Sequence, residues 1–101
     1  MIAYKGFHPG MVCIGYQFQM GLNMTEEANC RKNGFHCAED PLDCLSYYGD
    51  ADHSEYYIVN AGGDIDEDEF DSKISCTELT VLRRLTKEEL FTLGLAFMAD
   101  H

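Results

Sequence analysis

Basic residues are scarce in this 101-residue chain: seven Lys and Arg stand against eighteen Asp and Glu, for a formal net charge of −11. Non-specific nucleic-acid binding needs cations to neutralise phosphates, so it is not expected here. Anionic membrane surfaces are disfavoured on the same ground. No apolar run approaches the roughly 20 residues that span a bilayer. The start, Met1-Ile2-Ala3-Tyr4-Lys5-Gly6, lacks the long apolar stretch of a secretory signal, so a cytoplasmic protein is expected. Glycine-rich phosphate loops, internal repeats and low-complexity tracts are missing. Cysteines number five, Cys13, Cys30, Cys37, Cys44 and Cys76. An odd count at irregular spacing is a poor disulfide framework, which agrees with a reducing setting.

What is present is ordinary globular material. Apolar residues make up 46% of the chain, with six Phe and six Tyr, well away from disordered composition. The length suits one domain over residues 1–101. Strands are expected at Ile2 to Lys5, at Val12 to Phe18 with period-two apolar residues, and at Phe35 to Ala38 after the Asn33-Gly34 turn. Gly15 inside the second strand predicts a bulge or a close backbone approach. Asp40 as cap and Pro41 at the first helical position predict a short central helix ending at Gly49. Glu55 to Ala61 reads as a strand stopped by Gly62-Gly63. Asp64 to Asp71 holds six acidic residues in eight and reads as a solvated loop. Ile74 to Leu82 alternates, but the alternation fails near Thr77 to Leu79, which predicts a bulge or a change of exposed face.

Thr86 and Glu89 form a capping box at the head of a C-terminal amphipathic helix. Gly94 within it predicts a close neighbour, because Gly costs a helix about 1 kcal/mol relative to Ala. The expected fold is α+β: an antiparallel or mixed sheet with the short central helix and the C-terminal helix packed on it.

Candidate chemistry is sparse. Cys30, Cys37 and Cys44 recur every seven residues with His36 adjacent, but the paired knuckles of a zinc site are missing. Asp64, Asp66 and Asp68 alternate, yet Glu69 and Ser75 stand where a calcium loop needs Gly and a bidentate Glu. Neither a metal nor a cofactor is therefore expected. Cys13, Cys37 and Cys76 have apolar neighbours and read as small buried hydrophobes. Two tyrosine pairs, Tyr47-Tyr48 and Tyr56-Tyr57, flank one loop, and a tyrosine offers rigid contact area to a partner. With Asp64, Asp66 and Asp68 they form the candidate binding set, suited to a basic protein partner.

Several segments together resemble a family of small uncharacterised phage and prophage proteins. They are Ala3-Tyr4-Lys5-Gly6-Phe7, Gly15-Tyr16-Gln17-Phe18, Gly34-Phe35-His36-Cys37, Asp40-Pro41-Leu42-Asp43-Cys44 with Tyr47-Tyr48, and Asp71-Ser72-Lys73-Ile74. The resemblance covers nearly the whole chain and implies a bacterial or phage cytosolic origin. A second resemblance is to the ADP-ribosyltransferase fold, in the order of Tyr4-Lys5-Gly6, the Phe35 to Cys37 strand, the Asp40 helix and Glu78. It implies an NAD-using site built from Lys5, His36 and Glu78, with Lys5 standing where such enzymes carry Arg or His. Two functions follow as expectations: a non-enzymatic interaction module, or a transferase-like nucleotide-binding domain, degenerate or active.

Overall fold

The protein's structure, a computed structural model, describes residues 1–13, 15–26, 34–44, 54–68 and 72–100. Its strands are β1 (Ile2–Phe7), β2 (Val12–Cys13), β3 (Tyr16–Gln17), β4 (Gly21–Met24), β5 (Phe35–Ala38), β6 (Glu55–Glu67) and β7 (Lys73–Leu85), followed by helix α1 (Lys87–Asp100). Every pairing is antiparallel. The main sheet runs β4-β7-β5-β1-β6, and β6 pairs back onto β7. Strands β7, β5, β1 and β6 therefore close into a ring. β4 and β5 share one edge of β7, β4 against Glu78 to Val81 and β5 against Lys73 to Cys76.

Closure gives every strand an inside and an outside. Ala3 and Phe7 of β1, Phe35 and Cys37 of β5, Tyr57, Val59 and Ala61 of β6, and Ile74, Cys76, Leu79 and Val81 of β7 fill the interior. Outside lies a second cluster of Ala38, Cys44, Tyr56, Leu85 and Leu90, with Tyr4, Ile58 and Leu93 packed against it. Helix α1 covers this outer cluster.

Two irregularities keep β7 in the ring. Between Gly62/Glu78 and Ile65/Cys76 the ladder gains a residue on β6. Inward residues on β7 change phase across the same place, from Ile74 and Cys76 to Leu79 and Val81. The failed alternation at Thr77 to Leu79 marked this point. A second shift, between Ile58/Arg83 and Val59/Val81, leaves Leu82 as the extra residue and turns Leu85 to the outside.

Three expectations need correction. Val12 to Phe18 is not one strand: Cys13 pairs with Tyr16, so the segment is a tight hairpin. Gly15 takes φ +73° at its turn, a conformation that glycine adopts without steric cost. Gly62-Gly63 does not end β6, which runs on to Glu67. The acidic run is therefore strand over Asp64 to Glu67; 69–71 lie outside the described residues. The short central helix is not seen among the described residues, which show a turn at Asp40 to Cys44. Asp40 Oδ1 accepts from Leu42 N at 3.0 Å, and Cys44 N donates to Pro41 O at 3.3 Å. The part expected over 45–49 lies outside the described residues, among which α1 is the one full helix.

The start of α1 is as its residues dictate. Thr86 N donates to Glu89 Oε1 at 3.0 Å, and Glu89 N donates to Thr86 Oγ1 at 3.1 Å. The backbone bond from Thr86, then the Arg83 guanidinium at 2.9 Å, hold the Glu89 carboxyl below its usual range. The helix buries less than its composition suggests. Leu90 and Gly94 are buried, whereas Phe91, Leu95 and Met98 are 55%, 51% and 61% exposed.

Candidate functional site

Asp64 and Asp66 stand two residues apart on β6, and side chains at that spacing leave one face of a strand together. Their backbone is held on β7. Asp64 N donates to Thr77 Oγ1 at 2.8 Å, Asp66 and Glu67 pair with Ser75 and Ile74, and Asp68 N donates to Lys73 O at 3.0 Å. Gly63, at φ +66°, makes the bulge that permits this. Any side chain there would overlap Thr77 and Glu78. Both Asp64 and Asp66 face solvent, and Asp68 is partly covered.

A second acidic segment meets this arm. Glu39 N donates to Ser72 O at 3.1 Å, Asp40 N to Ser72 Oγ at 3.1 Å, and Ser72 Oγ to Asp43 Oδ2 at 2.5 Å. Ser72 thus ties the Asp40 turn to the base of the β6–β7 hairpin. Between the two lies a polar cleft of about 180 Å³, lined by Glu39, Glu67, Asp68, Ser72, Lys73 and Ile74. Three carboxylates and one ammonium border it. Such a cleft attracts a cationic side chain by charge and offers carboxylate oxygens as acceptors. Among the described residues, no group of three His, Cys, Asp or Glu side chains is arranged to hold a metal ion.

The residues of the transferase reading do not meet in a cleft. Lys5 is 3% exposed and points into the ring. Its ammonium donates to the His36 carbonyl, lies 3.8 Å from Cys13 Sγ, and sits 5.4 and 5.2 Å from the Phe7 and Phe18 ring centres. The His36 side chain leaves the other face of β5, since its neighbours Phe35 and Cys37 both point inward. Burial first, then the Lys73 and Lys5 charges, pull the imidazole down to about 4. Its Nδ1 is buried without a hydrogen-bond partner among the described residues. Glu78 lies further along β7, against the Gly63 bulge.

Residues 1–93 match the family described as a domain of unknown function, DUF7666. The chain belongs to that family. No curated protein and no solved structure matches it.

In this DUF7666 chain the remaining candidates divide sharply. Tyr56 and Tyr57 are both buried, Tyr57 in the ring and Tyr56 in the outer cluster. Neither ring is available to a partner, which corrects their place in the binding set. Adjacent strand residues face opposite ways, and at Tyr56 and Tyr57 both faces of β6 are covered. Tyr47 and Tyr48 lie outside the described residues, as do Cys30, His53 and His101. Cys13, Cys37, Cys44 and Cys76 are buried, unbridged thiols.

Burial pushes the Cys44 thiol up to about 12. Cys37 is raised by its hydrogen bond to Cys76 and by burial, while that same bond, stabilising a Cys76 thiolate, lowers Cys76. Burial, with Cys44 nearby, also raises the Tyr4 phenol.

Sequence reasoning missed Glu39, Glu67, Ser72 and Lys73. Each looks unremarkable in its local window, and only the pairing of both β5 and β6 on β7 brings them together. The amphipathic pattern of the C-terminal helix also did not separate the exposed row Phe91, Leu95 and Met98 from the buried Leu90. Its helical spacing was visible, but the face it occupies was not.

Proposed function

We propose that this domain is a non-enzymatic interaction module that docks a basic protein partner on the acidic cleft between the Asp40 turn and the β6–β7 arm. The observation that carries this reading is the continuation of β6 through the acidic run. Carboxylates that would be dispersed in a loop are instead held in fixed register along the arm, and Glu67 and Asp68 border the cleft together with Glu39. A pre-ordered array loses less conformational entropy on binding than a loop does. The net charge of −11 adds long-range steering toward a cationic partner.

A bacterial host, phage or prophage origin rests on the sequence resemblance alone. A cytoplasmic setting belongs to the same reading and is supported by the four buried, unbridged thiols. Among the described residues, no helix is long and apolar enough to cross a membrane. The transferase alternative needs Lys5, His36 and Glu78 to address one ligand. The burial of Lys5 speaks against it.

The test is capture from a bacterial lysate at two salt concentrations, with wild-type chain and a Glu39→Gln/Glu67→Gln/Asp68→Asn variant, which neutralises the three carboxylates of the cleft, as parallel baits. A partner retained by wild type at low salt, and lost both at high salt and from the variant, is the expected result. A partner retained equally by both baits at both salts would overturn the assignment to this cleft. NAD titration by calorimetry separates the transferase reading, which predicts a binding isotherm that the Glu78→Gln variant retains without turnover.

A further inference from the structure

Inside the ring, one nucleophilic pair has no part in the acidic cleft. Lys5 Nζ and Cys13 Sγ are 3.8 Å apart, and their residues are 3% and 5% exposed. The ammonium group has three hydrogens to donate. The His36 carbonyl takes one, and the Cys13 sulfur, a weak acceptor, lies in reach of another. The faces of Phe7 and Phe18 complete the lining. No carboxylate is in contact with the ammonium among the described residues. A lysine so placed is uncommon, because burying a cation without a counter-ion is costly. Its flexible four-carbon stem lets the nitrogen move toward the sulfur while the backbone stays paired.

We propose that Lys5 and Cys13 form an oxidative modification site, in which dioxygen links the lysine nitrogen to the cysteine sulfur through a single oxygen atom. The ammonium first gives one proton to solvent, and the reaction starts from the resulting neutral amine and the thiol. One N–H bond, the S–H bond and the O–O bond break. One N–O and one O–S bond form, giving a Lys–N–O–S–Cys bridge. The second oxygen atom leaves as water with the two hydrogens released. Nitrogen and sulfur each lose two electrons, and dioxygen accepts all four.

The surroundings favour this pairing over other fates. The apolar, aromatic lining admits a small neutral oxidant and excludes bulky thiols that would cap Cys13 as a mixed disulfide. The amine is held beside the sulfur, so any activated oxygen on one atom meets the other at once. The link joins β1 to the β2–β3 hairpin covalently. A cross-link of this kind narrows the unfolded ensemble and raises stability.

The experiment uses the full chain, purified once without oxygen and once in air-equilibrated buffer. Chymotrypsin cuts after Phe7, between the two residues, and the digests are compared by mass spectrometry. The aerated sample is expected to contain a linked peptide pair, heavier than the two free peptides by one oxygen and lighter by two hydrogens. The anaerobic sample, an aerated sample treated with excess dithiol, and a sample aerated in denaturant should lack it. Thermal unfolding of the aerated chain should lie above that of the dithiol-treated chain, with no such gap in Cys13→Ser. Free Lys5 and Cys13 peptides in the aerated native sample would overturn the proposal. So would Cys13 oxidised alone, with Lys5 unmodified. Both readouts on the wild-type chain stand even if the variant does not fold.

Discussion

Gly94 of α1 turns bare backbone toward the side chain of Leu42, and a methyl group at Gly94 would overlap three Leu42 carbons. This contact docks the C-terminal helix on the turn that begins at Asp40. In an exposed helix, Gly→Ala stabilises by about 1 kcal/mol. Here the overlap reverses the sign, because forcing an extra methyl into a filled contact costs about 1–3 kcal/mol. Gly94→Ala is therefore expected to lower the urea midpoint. Adding Leu42→Ala should recover part of the loss, a coupling that a double-mutant cycle reads directly. Additive losses would mean that the two residues do not share the contact.

The imidazole of His36 makes stability depend on pH. Its folded value, about 4, lies below the ordinary 6.5. Between those values the unfolded chain binds the extra proton, so stability rises with pH through that window and is lost as pH falls from 6.5 toward 4. The side chain is only half buried, so solvent screening reduces the effect to roughly 1 kcal/mol. Carboxylates titrate nearby, so the measurement is a difference. His36→Gln should lose less stability than wild type between pH 7 and pH 4.5. Parallel curves for the two proteins would refute the assignment.

Much of this fold is legible in local sequence, and the misreadings have local causes. Phe35 to Ala38 follows Gly34 at φ +85°, Thr86 and Glu89 cap their helix reciprocally, and Gly94 marks a close neighbour. Val12 to Phe18 misleads because its alternation survives a hairpin whose turn at Gly15 is itself short. The acidic run misleads because composition argues for solvent, while backbone pairing to Ser75 and Ile74 argues for strand. The pairing prevails because both faces of that arm can remain wet. Closure of β6 onto β7 and the inward aim of Lys5 are non-local. No window containing Lys5 includes Phe18, Cys13 and His36 together.

The capping box at Thr86 is a local contribution that can be isolated. Thr86→Ala removes the acceptor for Glu89 N and is expected to cost about 1 kcal/mol. Thr86→Ser keeps the hydroxyl and should stay close to wild type. Urea unfolding of the pair checks this, and equal losses from both variants would place the effect in the threonine methyl instead.

Burial of Lys5 sets apart two substitutions that a surface lysine would not distinguish. Lys5→Met keeps the length of the side chain and removes the cation. Replacing a buried charge with an apolar group of similar volume is often neutral or stabilising, by about 1–4 kcal/mol. The His36 carbonyl loses its Lys5 donor in that variant, which offsets about 1 kcal/mol of any gain. Lys5→Ala opens a cavity between Phe7, Phe18 and Cys13, and large-to-small changes of this kind cost about 2–5 kcal/mol. Lys5→Met is therefore expected to unfold at or above the wild-type urea midpoint, and Lys5→Ala well below it. If both variants lose stability equally, the ammonium itself holds the ring together, through the His36 carbonyl and the two aromatic faces, and its burial is a net stabilising interaction.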